Sequence, residues 1–243
     1  MMNLPFIRLL RTGVRVIASQ TKALLNRVGY YIPMQMFGRL QSAFNYLYVG
    51  RWMRDKAYSP AHVLKDRREL IATVAKPICD AEVLYMEFGV HQGESIRQWA
   101  ELLRNRASRL HGFDSFEGLP EEWDAHGYVM QKGHFSTMGV VPDIPDDRVK
   151  FFKGWFDNTL PLYEFIDSPV LVIFIDADLY SSTSYVLKTL RPHIKVGTLI
   201  YFDEFWDRLH ELKAFEEFLS DTGMKFELVA ITPGMRNVVF RRI

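Results

Sequence analysis

Two pairs of acidic residues stand where apolar, strand-like runs of the sequence end. Asp176 and Asp178 follow one such run, and Asp203 and Glu204 follow the next. Carboxylates that collect in one crevice repel each other strongly unless a cation lies between them. Oxygen ligands suit Mg²⁺ or Mn²⁺, and a bound metal makes a hydroxyl easier to deprotonate. The acids therefore predict a divalent-metal site; the alternative is that Asp176 and Asp178 cap the helix that follows them.

A glycine-containing segment has the pattern of a ligand-binding turn. Gly89 and Gly93 lie between a strand pattern and a helical pattern, where glycine lets the backbone approach a ligand and the helix presents free amides. Asp114 ends the next strand pattern, where a carboxylate can accept hydrogen bonds from both hydroxyls of a ribose. These residues predict an adenosine pocket, although a tight turn capped by Asp114 at Ser115 gives the same pattern. The sequence lacks the three-glycine dinucleotide motif, which argues against NAD.

Alternating strand and helix patterns bring both groups of residues to one edge of a sheet. Strands separated by helices form a parallel sheet with right-handed crossovers. The predicted fold class is α/β, a Rossmann-like doubly wound sheet with a C-terminal antiparallel hairpin and an N-terminal helical arm. The predicted strands are 83–88, 109–113, 149–153, 170–176, 196–203, 225–231 and 237–241, and the predicted helices are 66–75, 94–106, 158–166, 181–191 and 207–222.

The composition is that of one globular domain with an appendage. The 243 residues suffice for one substantial core, and a hydrophobic content of 48% excludes a disordered chain. Cys79 is the only cysteine, which excludes an intrachain disulfide and a cysteine-based zinc site. The sequence shows no run of transmembrane length and no secretory signal, so the predicted location is the cytoplasm, with membrane association through the arm as a variant.

The first 54 residues carry eight Arg or Lys and not one Asp or Glu. Apolar residues recur among them at helical intervals, so we predict a basic arm of two or three amphipathic helices over 1–58, punctuated at Pro33 and Gly38, and a main domain over 59–243. Such an arm suits an anionic membrane, an acidic partner or a second copy in a homo-oligomer. The alternative is a helical cap on the core with its basic face in water. Nucleic acid is not a predicted partner, because the arm lacks recognition motifs.

The segment 114–148 is too long for a simple connection and is rich in glycine and proline. Loops of this length inside compact domains often cover a site, so we predict a substrate lid. His134 lies in this segment and is predicted as a catalytic residue that faces the substrate; the alternative is an exposed loop histidine.

Four strings of residues resemble the macrocin O-methyltransferase family, the TylF/MycF/NovP type of class I methyltransferases. The resemblance spans about residues 60–243, and the string that begins at Gly112 is its most distinctive part. Members of this family methylate sugar hydroxyls of natural products with S-adenosylmethionine and magnesium. The strings are EFGVHQGES at 87–95, GFDSFEGLP at 112–120, GWFDNTLP at 154–161 and IDADLYSST at 175–183.

The resemblance implies roles for individual residues. It implies that Asp176, Asp203 and Glu204 hold the metal and that Asp178 is the general base for the acceptor hydroxyl. Glu204 departs from the family, which usually has a second Asp there. The residues that it implies for S-adenosylmethionine are Glu87, Gly89, Gly93 and Ser95 around the methionine part, Asp114 at the ribose, Ser115 and Phe116 near the adenosine, Gly154, Trp155 and Phe156 beside the adenine, and Asp176.

The predicted function is therefore an S-adenosylmethionine- and divalent-metal-dependent O-methyltransferase that acts on a hydroxyl of a sugar or a glycosylated small molecule. A second interpretation is a metal-dependent methyltransferase for catechol-like phenols, which uses a similar acidic set. A third is a non-catalytic adenosine-binding scaffold whose acids are structural.

Overall fold

The computed structural model describes the backbone of residues 4–125 and 128–243 and the side chains of residues 18–125 and 128–243. The helices within these ranges are α1 (Leu4–Tyr31), α2 (Met34–Asp55), α3 (Arg67–Ala75), α4 (Glu94–Leu102), α5 (Phe156–Thr159), α6 (Tyr180–Leu190) and α7 (Glu211–Thr222). The strands are β1 (His62–Val63), β2 (Val83–Phe88), β3 (Arg109–Asp114), β4 (Trp123–Asp124), β5 (Val129–Met130), β6 (Val149–Lys153), β7 (Val170–Ile175), β8 (Leu199–Phe202), β9 (Phe226–Ile231) and β10 (Val238–Arg242).

Eight of these strands form one sheet in the order β1-β9-β10-β8-β7-β2-β3-β6. The strands β6, β3, β2, β7 and β8 are parallel. β10 lies between β8 and β9 and is antiparallel to both. The predicted doubly wound sheet with a C-terminal antiparallel hairpin is therefore confirmed.

The order in which the chain adds strands to the sheet reverses between β2 and β7. From β2 the chain adds β3 and β6 on one side, and it then returns to add β7 and β8 on the other. Connections that leave two neighbouring strands toward opposite sides open a crevice at the carboxyl ends, where open α/β sheets bind ligands. The fold thus places the expected site at the ends of β2 and β7.

The central strands are covered on both faces. All six residues of β2 are buried, and only the first residue of β7 is not. One face packs against α2, α6 and α7, and its core includes Phe202 and Phe215. The other face packs against α3 and α4, and its core includes Tyr85 and Trp99. Burial on both faces explains why these strands read as nearly continuous apolar runs.

The N-terminal arm consists of α1 and α2, which are separated at Pro33 as predicted. The predicted break at Gly38 is wrong, because Gly38 lies within α2 and is buried there. Val49 and Trp52 pack α2 onto the core, whereas every residue of 18–31 in α1 is exposed. Among the helices that the structure describes, none is long and apolar enough to span a membrane.

Several predicted segments differ from the structure. Three are shorter than predicted: α4 ends at Leu102, α7 begins at Glu211, and β8 spans only Leu199–Phe202. The predicted helix 158–166 is instead the short α5 and a 3₁₀ turn at Leu160–Leu162. The reason is Pro161, which has no N–H for the helical ladder and clashes with the preceding turn. The segment 114–148, predicted as a loop, contains the small antiparallel hairpin of β4 and β5.

Gly89 begins the turn after β2 with a φ of +91°, and a Cβ atom there would lie 1.8 Å from the carbonyl oxygen of Asp176. We expect Gly89→Ala to lower the free energy of unfolding in urea by about 3 kcal/mol or more, or to prevent folding. Gly197→Ala is the matched control, since Gly197 has a φ of +92° and open space at its Cβ position. The control variant meets only backbone strain of about 1–2 kcal/mol. Equal losses in the two variants would refute the steric explanation.

Candidate active site

Strand register brings Asp176 and Asp203 together. Ile175 of β7 pairs with Phe88 of β2 on one side and with Phe202 of β8 on the other. Asp176 and Asp203 are the first residues beyond β7 and β8. The two acids therefore leave the sheet at the same edge, beside the turn that follows β2.

A cavity of about 730 Å³ opens at this edge of the sheet. Ligand pockets usually measure about 300–1,000 Å³, so the cavity has the size of a binding site. Other walls come from the segment 114–148 and from α6. The predicted site residues that line the cavity are Gly89, Asp114, Ser115, Trp155, Phe156, Asp176, Asp178, Asp203 and Glu204.

Arg67, at the start of α3, lies between two of the acids. Its Nη1 atom is 3.1 Å from Oδ2 of Asp176 and 3.2 Å from Oδ1 of Asp203. The guanidinium also donates to the hydroxyl of Ser95 and lies 5.4 Å from the ring centroid of Phe174. Burial lowers the pKa of Arg67, but the charges of Asp176 and Asp203 outweigh this and raise the pKa above its usual value. The chain itself thus supplies a cation between the two acids.

Glu204 has its own pair of partners. Arg236 donates to Oε1 of Glu204 at 2.6 Å, and the indole N–H of Trp206 donates to Oε2. Burial raises the pKa of Glu204, while the hydrogen bond from Trp206 and the charge of Arg236 oppose that rise. Both carboxylate oxygens of Glu204 are therefore engaged.

Asp178 lies on the cavity wall with its backbone in the left-handed region, at a φ of +57°. Residues held in such conformations cluster at functional sites, because the surrounding structure must stabilise the strain. Asp178 does not cap α6, since the N-cap residue is Leu179 and no side chain bonds there. Burial raises the pKa of Asp178 to about 7, and the negative charges of Glu204 and Asp203 contribute to the rise. The structure thus contradicts the capping alternative for Asp178, and its catalytic role stays a prediction.

Two buried carboxyl groups lie close to these acids. Tyr85 donates to Oε2 of Glu87, and the backbone N–H of Glu204 donates to Oε2 of Glu211 at 2.9 Å. The Oε1 atom of each is buried and has no hydrogen-bond partner in the part of the chain that the structure describes. Burial raises the pKa of Glu87 to about 8 and that of Glu211 well above its usual value. Burial thus disfavours the ionised form of both groups.

Asp114 ties together the loops at the other end of the cavity. Its Oδ2 atom accepts hydrogen bonds from the backbone N–H groups of Val90 and His91, both at 2.8 Å. Its Oδ1 atom accepts one from the N–H of Phe116 at 2.7 Å. A carboxylate has about four acceptor positions, so Asp114 retains capacity for a ligand hydroxyl.

Some predicted cofactor residues support the cavity from behind. Ser95 is buried and contacts Arg67, and the buried Phe116 has a φ of +59°. Gly93 precedes α4 with a φ of +76°. The predicted residues outside the cavity wall are Glu87, Gly93, Ser95, Phe116 and Gly154.

His134 is not brought to the cavity. Its side chain is exposed, and its ring lies 4.4 Å from the ring of Phe135, measured between centroids. Phe135 lines the cavity instead. The backbone carbonyl of His134 accepts a hydrogen bond from the N–H of Leu119, so this residue shapes the lid. The structure gives the predicted catalytic role of His134 no geometric support.

The segment 114–148 is seated on α6. Ser181 of α6 donates to the carboxylate of Glu121, and Trp123 packs with Leu119 and Leu179. Glu121 and Trp123 also line the cavity. These contacts make the segment the outer wall of the cavity, which is where a lid must lie.

Several site residues had no signal in the sequence pattern. Arg67, Arg236 and Glu211 reach the acids from distant segments, so only the folded chain shows their proximity. The sequence held one indirect indication of such a residue. Acids at adjacent strand ends require a cation, and an arginine can supply that positive charge as a metal can.

The donor chemistry at this edge fits a divalent cation. Oδ1 of Asp176 and Oδ2 of Asp203 accept no hydrogen bond from the described residues, and Asp178 adds another carboxylate. Carboxylate oxygens are the ligands that Mg²⁺ and Mn²⁺ prefer. In their present orientations, however, the described side chains include no group of three that encloses a metal position. Glu204 would have to release Arg236 before it served as a ligand.

The fold and the site resemble those of one class of enzymes. A doubly wound sheet with an inserted antiparallel strand β10, a glycine turn after β2 and acids at the switch point is the arrangement of class I methyltransferases. A family model described as a methyltransferase domain matches residues 86–205. The solved structure of the O-methyltransferase NovP is similar, with a TM-score of 0.56, 25% sequence identity, and coverage of 72% of this chain and 79% of that chain.

Two curated relatives come from Streptomyces. The 8-demethyl-8-(2,3-dimethoxy-alpha-L-rhamnosyl)-tetracenomycin-C 4'-O-methyltransferase of Streptomyces olivaceus is 33% identical over 49% of this chain and 52% of its own length. The demethyldecarbamoylnovobiocin O-methyltransferase of Streptomyces niveus is 34% identical over 49% of this chain and 50% of its own length. The chain spans about half the length of these relatives. These similarities confirm the predicted resemblance to the macrocin O-methyltransferase type of class I methyltransferases.

Proposed function

We propose that the protein transfers a methyl group from S-adenosylmethionine to a hydroxyl oxygen of a sugar or of a glycosylated small molecule. The observation that carries this proposal is the placement of Asp178, a half-buried acid with a φ of +57° on the wall of a cavity whose other end has the glycine turn. The names of the relatives support the acceptor class, since one describes methylation of a rhamnosyl-tetracenomycin and the other methylation of a novobiocin precursor.

The residues at the β2 end of the cavity fit S-adenosylmethionine. Gly89 leaves the backbone bare at the cavity wall, and Asp114 has acceptor capacity for the ribose hydroxyls. Trp155 and Phe156 add apolar wall area for the adenine. Glu87 lies on β2 two residues before Gly89, and its Oε1 atom has no hydrogen-bond partner among the described residues, so we assign it to the amino-acid part of the cofactor. When bound, S-adenosylmethionine supplies an electrophilic methyl group.

Asp178 acts on the acceptor hydroxyl. Its carboxylate would take the hydroxyl proton while the oxygen bonds to the methyl carbon and the methyl–sulfur bond breaks, which leaves S-adenosylhomocysteine. A well-placed base contributes about 10²–10⁴ in rate. Trp123, whose ring lies against His210 beside α6, gives the acceptor end an aromatic wall suited to the apolar face of a sugar. The seated lid keeps water away from the reacting atoms.

We further propose that Mg²⁺ or Mn²⁺ binds Asp176 and Asp203, with Glu204 as the third predicted ligand. The metal would stabilise the negative charge that develops on the acceptor oxygen. Arg67 would keep its contacts with Oδ2 of Asp176 and Oδ1 of Asp203, and the metal would bind the other oxygen of each carboxylate. The cytoplasm stays the predicted location.

The proposed function is tested with labelled S-adenosylmethionine and matched panels of rhamnosides and catechols, in buffer with Mg²⁺ or with a chelator. We expect label on a rhamnoside hydroxyl, and a faster reaction with Mg²⁺. Rhamnosides whose hydroxyls are already methylated are the control and should remain unlabelled. Exclusive labelling of catechols would overturn the acceptor class. Cofactor binding by calorimetry without transfer to either panel would favour the adenosine-binding scaffold.

A further inference from the structure

The N-terminal arm, defined here as α1 and α2, exposes many apolar side chains. Every residue of 18–31 is exposed, and Leu24 and Leu25 have exposed fractions of 61% and 63%. Phe44 and Leu47 of α2 are exposed at 66% and 70%. A helical segment whose side chains are all exposed, as those of residues 18–31 are, is marginal in water, and many exposed apolar side chains together mark an interaction site.

The charge of the arm indicates what covers this surface. Residues 1–54 contain eight Arg or Lys and no acid, whereas the rest of the chain contains more acidic than basic residues. Two such arms packed together would place like charges against each other. An anionic lipid surface instead attracts each Lys or Arg near it by about 1 kcal/mol. It also accepts apolar side chains at the level of the headgroups.

The aromatic residues of the arm support the same partner. Tyr30 and Tyr31 end α1 and are 83% and 77% exposed. Tyrosine has an apolar ring and a polar hydroxyl, and it is enriched where hydrocarbon meets water. We propose that the arm docks on an anionic lipid bilayer, with α1 lying in the interface and not crossing it.

Docking would bring the acceptor end of the cavity close to the lipid surface. Tyr46 of α2 stacks on Trp206 with 5.2 Å between ring centroids, and Trp206 bonds to Glu204 on the cavity wall. Two side-chain contacts, Tyr46 with Trp206 and Trp206 with Glu204, thus connect the arm to the acids of the site. Docking itself does not depend on the proposed methyl transfer.

The test is co-sedimentation of the full chain with vesicles of phosphatidylcholine alone or with about one-third phosphatidylglycerol. We expect binding to the anionic vesicles only, and weaker binding as salt rises. The paired substitutions Leu24→Glu with Leu25→Glu, and separately Lys22→Glu with Arg27→Glu, should lower the partition coefficient by at least about tenfold. Leu162→Glu is the matched control, because Leu162 is 84% exposed outside the arm, and it should bind as the unchanged chain does.

Two results would overturn the proposal. One is equal binding to neutral and anionic vesicles, or no binding to either. The other is a dimer in light scattering that the Leu24→Glu, Leu25→Glu variant abolishes, without vesicle binding, which would identify a second copy as the partner. Calorimetry with S-adenosylmethionine measures cofactor binding by each variant independently of vesicle binding, so each of the two proposals can fail without the other. A chain that binds vesicles but methylates nothing would refute the proposed function and leave the docking intact.

Discussion

We expect Asp178→Asn to lower kcat for methyl transfer by about 10²–10⁴, because asparagine keeps the shape of the side chain and cannot accept the hydroxyl proton. Binding of S-adenosylmethionine should change little, since Asp178 lies at the acceptor end of the cavity. Steady-state kinetics with the rhamnoside that accepts the methyl group and calorimetry with the cofactor measure the two quantities. Asp221→Asn, on the exposed surface of α7, is the control and should retain full activity.

The acidity of the acceptor separates a base from a residue that only shapes the pocket. A nitrocatechol is already partly ionised near neutral pH and has less need of a base. The defect of Asp178→Asn should therefore shrink with a nitrocatechol, provided that the unchanged chain methylates it detectably. A defect of equal size for both acceptors would show that Asp178 is not the general base.

Arg67→Met should produce the largest loss of stability among side-chain truncations at the site. The substitution keeps an unbranched apolar side chain but removes the cation between Asp176 and Asp203. Breaking a buried ion pair leaves uncompensated charge, at a cost of about 3–5 kcal/mol. The side chain of Arg67 is 34% exposed, so we expect a smaller loss of about 2–4 kcal/mol in the free energy of unfolding, measured in urea.

Arg68→Met is the matched control for this loss. Arg68 is the adjacent residue on α3 and is exposed, so its replacement should change the free energy of unfolding by less than about 0.5 kcal/mol. Adding Asp176→Asn to Arg67→Met should recover part of the loss, because one unpaired charge is removed. If the double variant is less stable than Arg67→Met alone, the electrostatic explanation fails.

The central sheet is predictable because its strands are covered on both faces. Val83–Phe88 is predicted with its observed bounds, since a strand without a solvent face reads as one apolar run between polar residues. The sequence-based prediction is wrong where one local pattern is compatible with two different structures. A glycine usually interrupts an exposed helix, yet Gly38 is buried inside α2. Pro161 shortens a helix that the apolar spacing alone extends.

The acids of the site are predictable, but their neighbours are not. Asp176 and Asp203 each end a recognisable strand, and parallel strands present their ends at one edge. Arg67 stands before β2 with no feature that distinguishes it from Arg68. Only the folded chain, in which α3 packs against the sheet, brings one of the two arginines to the acids. A local pattern therefore predicts that these acids need a countercharge, whereas the fold determines which group supplies it.

The three backbone hydrogen bonds to Asp114 bear on the strength of cofactor binding. They hold the loops after β2 and β3 in one conformation before any ligand arrives. A preorganised loop loses little conformational entropy on association, so more of the contact energy remains as affinity. The residue expected to recognise the ribose thus also reduces the entropic penalty of binding it.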